Sequence, residues 1–120
     1  MRYLMLLSGT NPATPPPPAL YEAIMKLGGE ATAAGVLLDT AGLLPSQAGA
    51  RVTLAGGKVT VTDGPFTESK ELISYALYDL RSRDEAIEWA ARFVRLHRDL
   101  WPGWVGQTDI LQVMRPDNGG

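Results

Sequence analysis

One side chain that could do acid–base chemistry, Asp63, stands in the short run TDGPF at residues 62–66. Asp63 follows a strand-like segment and precedes Gly64 and Pro65, a pair that fixes the backbone direction. A carboxylate held at a strand end can accept a proton or bind a polar ligand group. The same residues also suit a plain turn, in which Asp63 bonds nearby backbone N–H groups. The sequence alone supports both interpretations.

Two neighbouring residues favour a ligand site over a plain turn. A turn requires neither Phe66, which could cover a bound ligand, nor Lys70, which could attract an anionic substrate or pair with Asp63. A solvated surface charge is the alternative for Lys70. We therefore predict that Gly64, Pro65, Phe66 and Lys70 bind a ligand.

His97 is the single histidine of the chain and the only side chain whose unperturbed pKa lies near neutrality. It lies near the end of a predicted helix, three residues after Val94. There it could pack half-buried and be stabilised by the helix dipole. It could also act as a general base or as an axial ligand to haem. If the protein is an enzyme, we predict that Asp63 and His97 are its catalytic proton carriers.

The composition argues against several other kinds of site and partner. The chain has no cysteine and one histidine, which argues against thiolate chemistry and against a multi-histidine metal centre. We predict no metal site and no cofactor. A net charge of −2 with scattered Lys and Arg argues against nucleic acid as a partner. The apolar run at residues 3–7 is shorter than a signal core or a membrane span, so we expect a cytoplasmic protein without membrane contact.

Apolar spacing and turn residues predict the elements that position these side chains. Gly56 and Gly57 supply the positive φ angles of a tight hairpin turn. Ser82 and Glu85 form a capping box at the start of the second helix. The predicted segments are a strand at 2–8, a helix at 19–34, a short strand at 36–38 with an irregular edge at 41–44, a hairpin at 51–54 and 58–62, a strand at 74–80, a helix from Ser82 and a strand at 108–114.

This order predicts an α+β fold of the ferredoxin-like, split βαβ type, with both helices on one face of the sheet. Two of the predicted strands are apolar on both alternating sets of residues, which requires cover on both faces. A second copy of the chain is the simplest cover for the face without helices. We therefore predict a homodimer with its sheets packed face to face, formed by one domain at residues 1–114 with a flexible tail at 115–120.

The run KVTVTDGPFTESKE at residues 58–71 closely resembles the signature of the YCII-related, DGPF-motif proteins. Residues 84–90 resemble that family's second helix, and residues 2–6 and the closing strand match its ends. The resemblance implies the dimeric α+β barrel superfamily and a mostly unassigned function. It also implies a regulatory link, because many relatives are encoded beside, or fused to, extracytoplasmic-function sigma factors. The His–Asp pair proposed for the YCII branch is not carried over, because this sequence has no early histidine.

Two functions follow as hypotheses. The first is a small-molecule-binding or cofactor-free enzymatic module, with a pocket between sheet and helices near residues 63–70. The second is a non-catalytic regulatory protein that binds a sigma-type partner.

Overall fold

The computed structural model of the chain describes residues 1–66 and 70–115. Of the predicted tail, only Arg115 falls within these ranges. The elements in chain order are β1 (Arg2–Thr10), α1 (Pro18–Ala33), β2 (Leu37–Gly42), a 3-10 turn (Ser46–Ala48), β3 (Ala50–Ala55), β4 (Lys58–Asp63), β5 (Glu71–Asp79), α2 (Arg83–Leu100) and β6 (Val105–Gln112). The predicted α+β class is confirmed.

Three strands differ from their predicted bounds by three or more residues at one end, because pairing with neighbours extends or shifts them. β2 continues to Gly42, which lies opposite Ser74 of β5, so the first two residues of the predicted irregular edge at 41–44 are strand. β5 begins at Glu71, opposite Gly9 of β1. β6 begins at Val105 and ends at Gln112, three residues earlier than predicted at its start, because it pairs with β1 from Thr10 backwards.

Four strands form one antiparallel sheet in the order β2-β5-β1-β6, so β5 lies between the two strands that α1 connects. The side chains of β1 alternate strictly in burial. Tyr3 and Met5 belong to the buried core, together with Ala31 of α1 and Ala86 and Ala90 of α2. Because both helices pack on the same side chains of β1, both cover the same face of the sheet.

Local signals set the ends of the helices as the sequence predicts. Gly35, with a φ of 74°, follows the end of α1. The side chain of Ser82 accepts a hydrogen bond of 3.2 Å from the backbone N–H of Glu85 at the start of α2. The Glu85 carboxylate reaches back to the backbone N–H of Arg81, one residue before the cap. Within the described residues, neither helix is long and apolar enough to cross a bilayer.

The face of the sheet opposite the helices has no cover from the described residues of the chain. Leu4 and Leu77 lie opposite each other on this open face, and Leu4 also lies opposite Leu111 of β6. Leu4 and Leu77 are half-buried, and Leu111 is 52% exposed. We call this surface the open face.

Strands β3 and β4 form a separate two-stranded sheet with Gly56 and Gly57 at positive φ in its turn. Every residue of both strands is exposed. Cross-strand pairing places Val52 opposite Val61 and Leu54 opposite Val59, so one face of the hairpin is aliphatic. We call these four residues the aliphatic face of the hairpin.

Candidate functional site

The segment after β4 is fixed against the loop that precedes β3. Asp63 is the last residue of β4 and its side chain is exposed. The N–H of Gly64 donates a hydrogen bond of 2.9 Å to the carbonyl oxygen of Gly49. A Cβ atom on Gly64 would overlap the carbonyl oxygen of Ser46, so the close approach of the two backbones requires glycine at this position. The predicted turn segment is therefore packed against the backbone of the loop that precedes β3.

Ser46 connects three segments that are distant in sequence. Its hydroxyl donates a hydrogen bond of 2.7 Å to Oε1 of Glu71, the first residue of β5. The same hydroxyl oxygen accepts a bond of 3.2 Å from the backbone N–H of Phe66. The backbone N–H of Ser46 donates to Oε1 of Glu71 at 3.2 Å. Ser46 thus holds the 3-10 turn, the DGPF segment and β5 together.

The ring of Phe66 is half-buried and makes a cation–π contact with Arg51. The guanidinium carbon of Arg51 lies 4.1 Å from the centroid of this ring. At that distance the guanidinium is attracted to the π face. Because Arg51 is in β3, the contact also ties the base of the hairpin to the DGPF segment.

A cavity of about 470 Å³ lies between these segments. Its volume is within the range of roughly 300–1,000 Å³ that is typical of small-molecule sites. Three kinds of group surround it: aliphatic side chains from the loop after β2 and from β5, the Phe66 ring, and a small set of polar groups. The lining residues are Leu43, Leu44, Pro45, Ser46, Ala48, Gly49, Arg51, Phe66, Lys70, Glu71 and Leu72.

Among the described residues, the charged groups that line this cavity are two cations and one carboxylate. Lys70 is half-buried, and its Nζ donates a hydrogen bond of 3.2 Å to Oε1 of Gln107 in β6. The carboxylate of Glu71 accepts both bonds from Ser46 described above. The cavity is therefore an apolar space with Arg51 and Lys70 as positive charges at its wall.

The structure brings only some of the predicted site residues together. Phe66 and Lys70 line the 470 Å³ cavity, whereas neither Asp63 nor His97 does. Gly64 and Pro65 do not line this cavity; Gly64 packs against the backbone of Ser46, which does, and the Gly64–Pro65 peptide bond is cis. The catalytic role of Asp63 and His97 stays a prediction, and the two side chains lie in different parts of the fold.

His97 is buried rather than half-buried, with 4% of its surface exposed. Its ring lies 4.9 Å from the ring of Phe93 and 4.6 Å from that of Trp104, measured between centroids. Its Nδ1 donates a hydrogen bond of 3.0 Å to the carbonyl oxygen of Phe93. Burial lowers the pKa of His97 below 6.5, and the bond to Phe93 opposes this only in part. These contacts are typical of a neutral imidazole that packs against neighbouring side chains at the end of α2.

The space between sheet and helices, where the sequence predicts the pocket, holds a cavity of only about 80 Å³. Core side chains such as Met5, Leu27 and Phe93 line it. A volume of this size is well below that of a typical small-molecule site. The larger cavity lies instead at the loop end of the sheet, where Lys70 and Phe66 face the segment after β2.

A second polar pair lies on the open face. The phenol of Tyr75 donates a hydrogen bond of 2.9 Å to Oδ2 of Asp39. This bond, together with the nearby negative charge, raises the pKa of Tyr75 above 10.0. The pair combines a proton donor and a charged acceptor on a surface that is otherwise rich in leucine.

Sequence reasoning missed Ser46, Arg51 and Glu71. One signal was available for Arg51, because the hairpin pattern places it opposite Thr62, next to the DGPF segment. Ser46 and Glu71 gave no such signal. They are 25 residues apart, and only the path of the loop after β2 brings them into contact.

The fold and the cavity together define a two-layer α+β protein with a small-molecule-sized space at the loop end of its sheet. The family model of the YCII-related domain matches residues 1–101. The chain therefore belongs to the YCII-related domain family. A search of curated proteins gave no match.

Proposed function

We propose that the protein is a small-molecule-binding module that works as a homodimer and uses the 470 Å³ cavity as its ligand site. The observation that carries the proposal is the combination of size and lining. The space is large enough for a small organic molecule, its walls are mostly apolar, and a few polar groups converge on it. This combination is characteristic of ligand sites.

The charges of the wall favour an anionic ligand. Among the described residues that line the cavity, Arg51 and Lys70 are cations, and Glu71 is a carboxylate that accepts bonds from Ser46. Phe66 offers a ring face to a flat apolar group. The ligand class that fits is a small aromatic or aliphatic carboxylate, with its acid group towards Lys70.

The dimer is part of the proposal. The strand order β2-β5-β1-β6 supports a ferredoxin-like, split βαβ arrangement, in which the helices protect one face only. The open face carries leucines from three neighbouring strands, Leu4, Leu77 and Leu111. A second copy packed on this face would remove these side chains from water.

The test uses 4-fluorobenzoate as the probe, with the dissociation constant measured from ¹⁹F line broadening. We expect Lys70→Gln to weaken binding by about fivefold, which corresponds to about 1 kcal/mol for a partly screened charge. The matched control is Lys58→Gln, which removes an equal charge from the hairpin, outside the lining of the cavity. Equal affinities in the two variants, or no binding by the unmodified protein, would contradict the proposal.

Acid–base catalysis is not included in this proposal, because neither predicted proton carrier lines the cavity. The sigma-type partner stays a prediction from the family resemblance. The protein would be a regulatory partner rather than a ligand-binding module if it bound a sigma factor and failed to bind 4-fluorobenzoate.

A further inference from the structure

Each chain exposes two aliphatic surfaces that it does not bring together itself. The first is the aliphatic face of the hairpin, whose four side chains are 65% to 72% exposed. The second is the rim of the ligand cavity, formed by Leu43, Leu44 and Leu72, which are 41%, 80% and 46% exposed. Contiguous apolar patches of this kind mark interaction surfaces in soluble proteins.

We propose that the hairpin of each protomer docks on a second copy of this chain and closes the mouth of that copy's ligand cavity. The proposal rests on the function proposed above and adds that each site is completed by the partner subunit. The contact is between the aliphatic face of one hairpin and the cavity rim of the other chain. Two-fold symmetry repeats it, so both hairpins and both rims are covered at once.

The shape of the chain supports docking on a partner rather than folding back. The molecule measures 46 × 46 × 18 Å, and its radius of gyration is 16.3 Å. A compact chain of this length is expected to have a radius of gyration of about 14 Å. The thickness of 18 Å belongs to one sheet and one helix layer, so the hairpin extends sideways from the slab. Among the described elements, β3 and β4 contact chiefly each other.

An isolated two-stranded hairpin is marginally stable in water, and three strands or a packing partner are usually needed. In this protein one face of the hairpin is polar, with Arg51, Thr53 and Thr60 among its residues, and the other is aliphatic. Such a division indicates one wet and one covered face. The described residues of the chain do not cover the aliphatic face, so a second molecule can pack on it.

The hairpin and the cavity rim would enlarge the contact between the two sheets. Four strands spaced by about 4.8 Å, each about 28 Å long, have a projected face of roughly 500 Å². A stable dimer usually buries about 800 Å² of accessible surface on each partner, a quantity that also counts the relief of the side chains. The hairpin and the cavity rim belong to the same chain and are both aliphatic, so they would add apolar area to the contact.

Docking would also affect the ligand site through the covalent path of the chain. Gly49 and Arg51, at the base of the hairpin, line the cavity of their own chain. The hairpin therefore connects the cavity of one protomer to the cover of the other. We expect ligand affinity and dimer stability to depend on each other.

The test is a variant with a polar hairpin face, Val52→Thr, Leu54→Thr, Val59→Thr and Val61→Thr. Threonine keeps a high strand propensity, so the hairpin itself is retained. We expect the dimer dissociation constant, measured by sedimentation equilibrium, to rise at least tenfold. We also expect at least fivefold weaker binding of 4-fluorobenzoate, although no residue that lines the cavity is changed. The control is Thr53→Ser with Thr60→Ser on the opposite face, which should leave both quantities unchanged.

A mixing experiment tests whether the hairpin that covers a cavity comes from the partner subunit or from the same chain. The variant with the polar hairpin is refolded together with the Lys70→Gln variant, at a concentration above the dissociation constant of the dimer. In mixed dimers, the protomer with an intact cavity receives an intact hairpin from its partner. We then expect high-affinity sites to return at about a quarter of the unmodified number, as random pairing predicts for a two-fold dimer.

The outcomes are distinct. No recovery on mixing, or an unchanged dissociation constant of the dimer in the polar-hairpin variant, would overturn the docking proposal. If the unmodified protein does not bind 4-fluorobenzoate, the proposed function fails, while the sedimentation result still decides whether the hairpin docks on a second copy. Single cysteines could then locate the contact, since the chain has none of its own.

Discussion

His97 illustrates how the surroundings of one residue decide its chemistry. As the single histidine, it is the natural candidate for a general base in this sequence. In the fold its ring packs against Phe93 and Trp104 and is 4% exposed. The ring nitrogen Nδ1 is used in a bond to the backbone of α2. A neutral imidazole in this place contributes to the stability of the helix end.

The buried His97 predicts a dependence of stability on pH. Burial lowers its pKa in the folded protein below 6.5, while the unfolded chain binds a proton near that value. Between the two pKa values the unfolded state holds more protons, so the free energy of unfolding falls as the pH drops below about 6.5. We expect a slope of at most about 1.4 kcal/mol per pH unit, measured by urea unfolding between pH 7.5 and 5.

His97→Gln should remove this slope in the same pH range. The carboxylates of Glu30, Glu85 and Asp99, whose pKa values are lowered by neighbouring arginines, lose their contribution only below their ordinary values of 4.5, 4.5 and 3.8. Their stabilisation is therefore nearly constant between pH 7.5 and 5, and they add little to the slope in that range. A variant with the slope of the unmodified protein would show that another group is responsible.

At the scale of elements, the junction between the hairpin and the loop after β2 determines the shape of the cavity. Gly64 bonds to Gly49 and lies against the carbonyl group of Ser46. Ser46 in turn bonds to β5 through Glu71. The DGPF segment thus contacts the loop after β2 through its backbone. This contact sets the distance between Phe66 and the residues of that loop that line the cavity.

Gly64→Ala tests this junction. The added methyl group meets a backbone carbonyl, which cannot move aside as a flexible side chain can, so we expect a loss of about 1–3 kcal/mol in unfolding free energy. We also expect weaker binding of 4-fluorobenzoate. Gly42→Ala is the control, because a Cβ at Gly42 would meet no atom within 4 Å. A Gly64→Ala protein with unchanged stability and affinity would contradict the close contact.

At the scale of the whole molecule, the unequal cover of the two sheet faces is the dominant feature. The helices bury Tyr3, Met5 and Tyr78 on one face. The other face presents leucines together with the hydrogen-bonded pair of Tyr75 and Asp39. A dimer interface built on this surface would contain two hydrogen-bonded pairs per protomer among the described residues, Tyr75–Asp39 and Gln107–Asp109, which can fix the relative orientation of the two sheets.

Leu77→Lys tests the contribution of the open face to the dimer. A lysine at this half-buried position would place a charge in the sheet-to-sheet contact, and we expect the dissociation constant of the dimer to rise at least tenfold, or about 1.4 kcal/mol. Met25→Lys is the matched control, since Met25 is 77% exposed on α1. Sedimentation equilibrium provides the measurement. Equal dissociation constants in the two variants would place the dimer contact elsewhere.

Local sequence patterns predict the order of the elements, the hairpin turn at Gly56 and Gly57, and the cap at Ser82, because these depend on neighbours within a few residues. They also predict Phe66 and Lys70 in one site, since both flank one short segment. The remaining features depend on contacts between distant parts of the chain.

The tertiary structure decided the burial of His97 and the contact of Ser46 with Glu71, and it placed the large cavity at the loop end of the sheet instead of under the helices. These features join residues that are far apart in the chain or depend on how elements pack. Strand register and the path of the loops determine such contacts, and the spacing of apolar residues does not predict them.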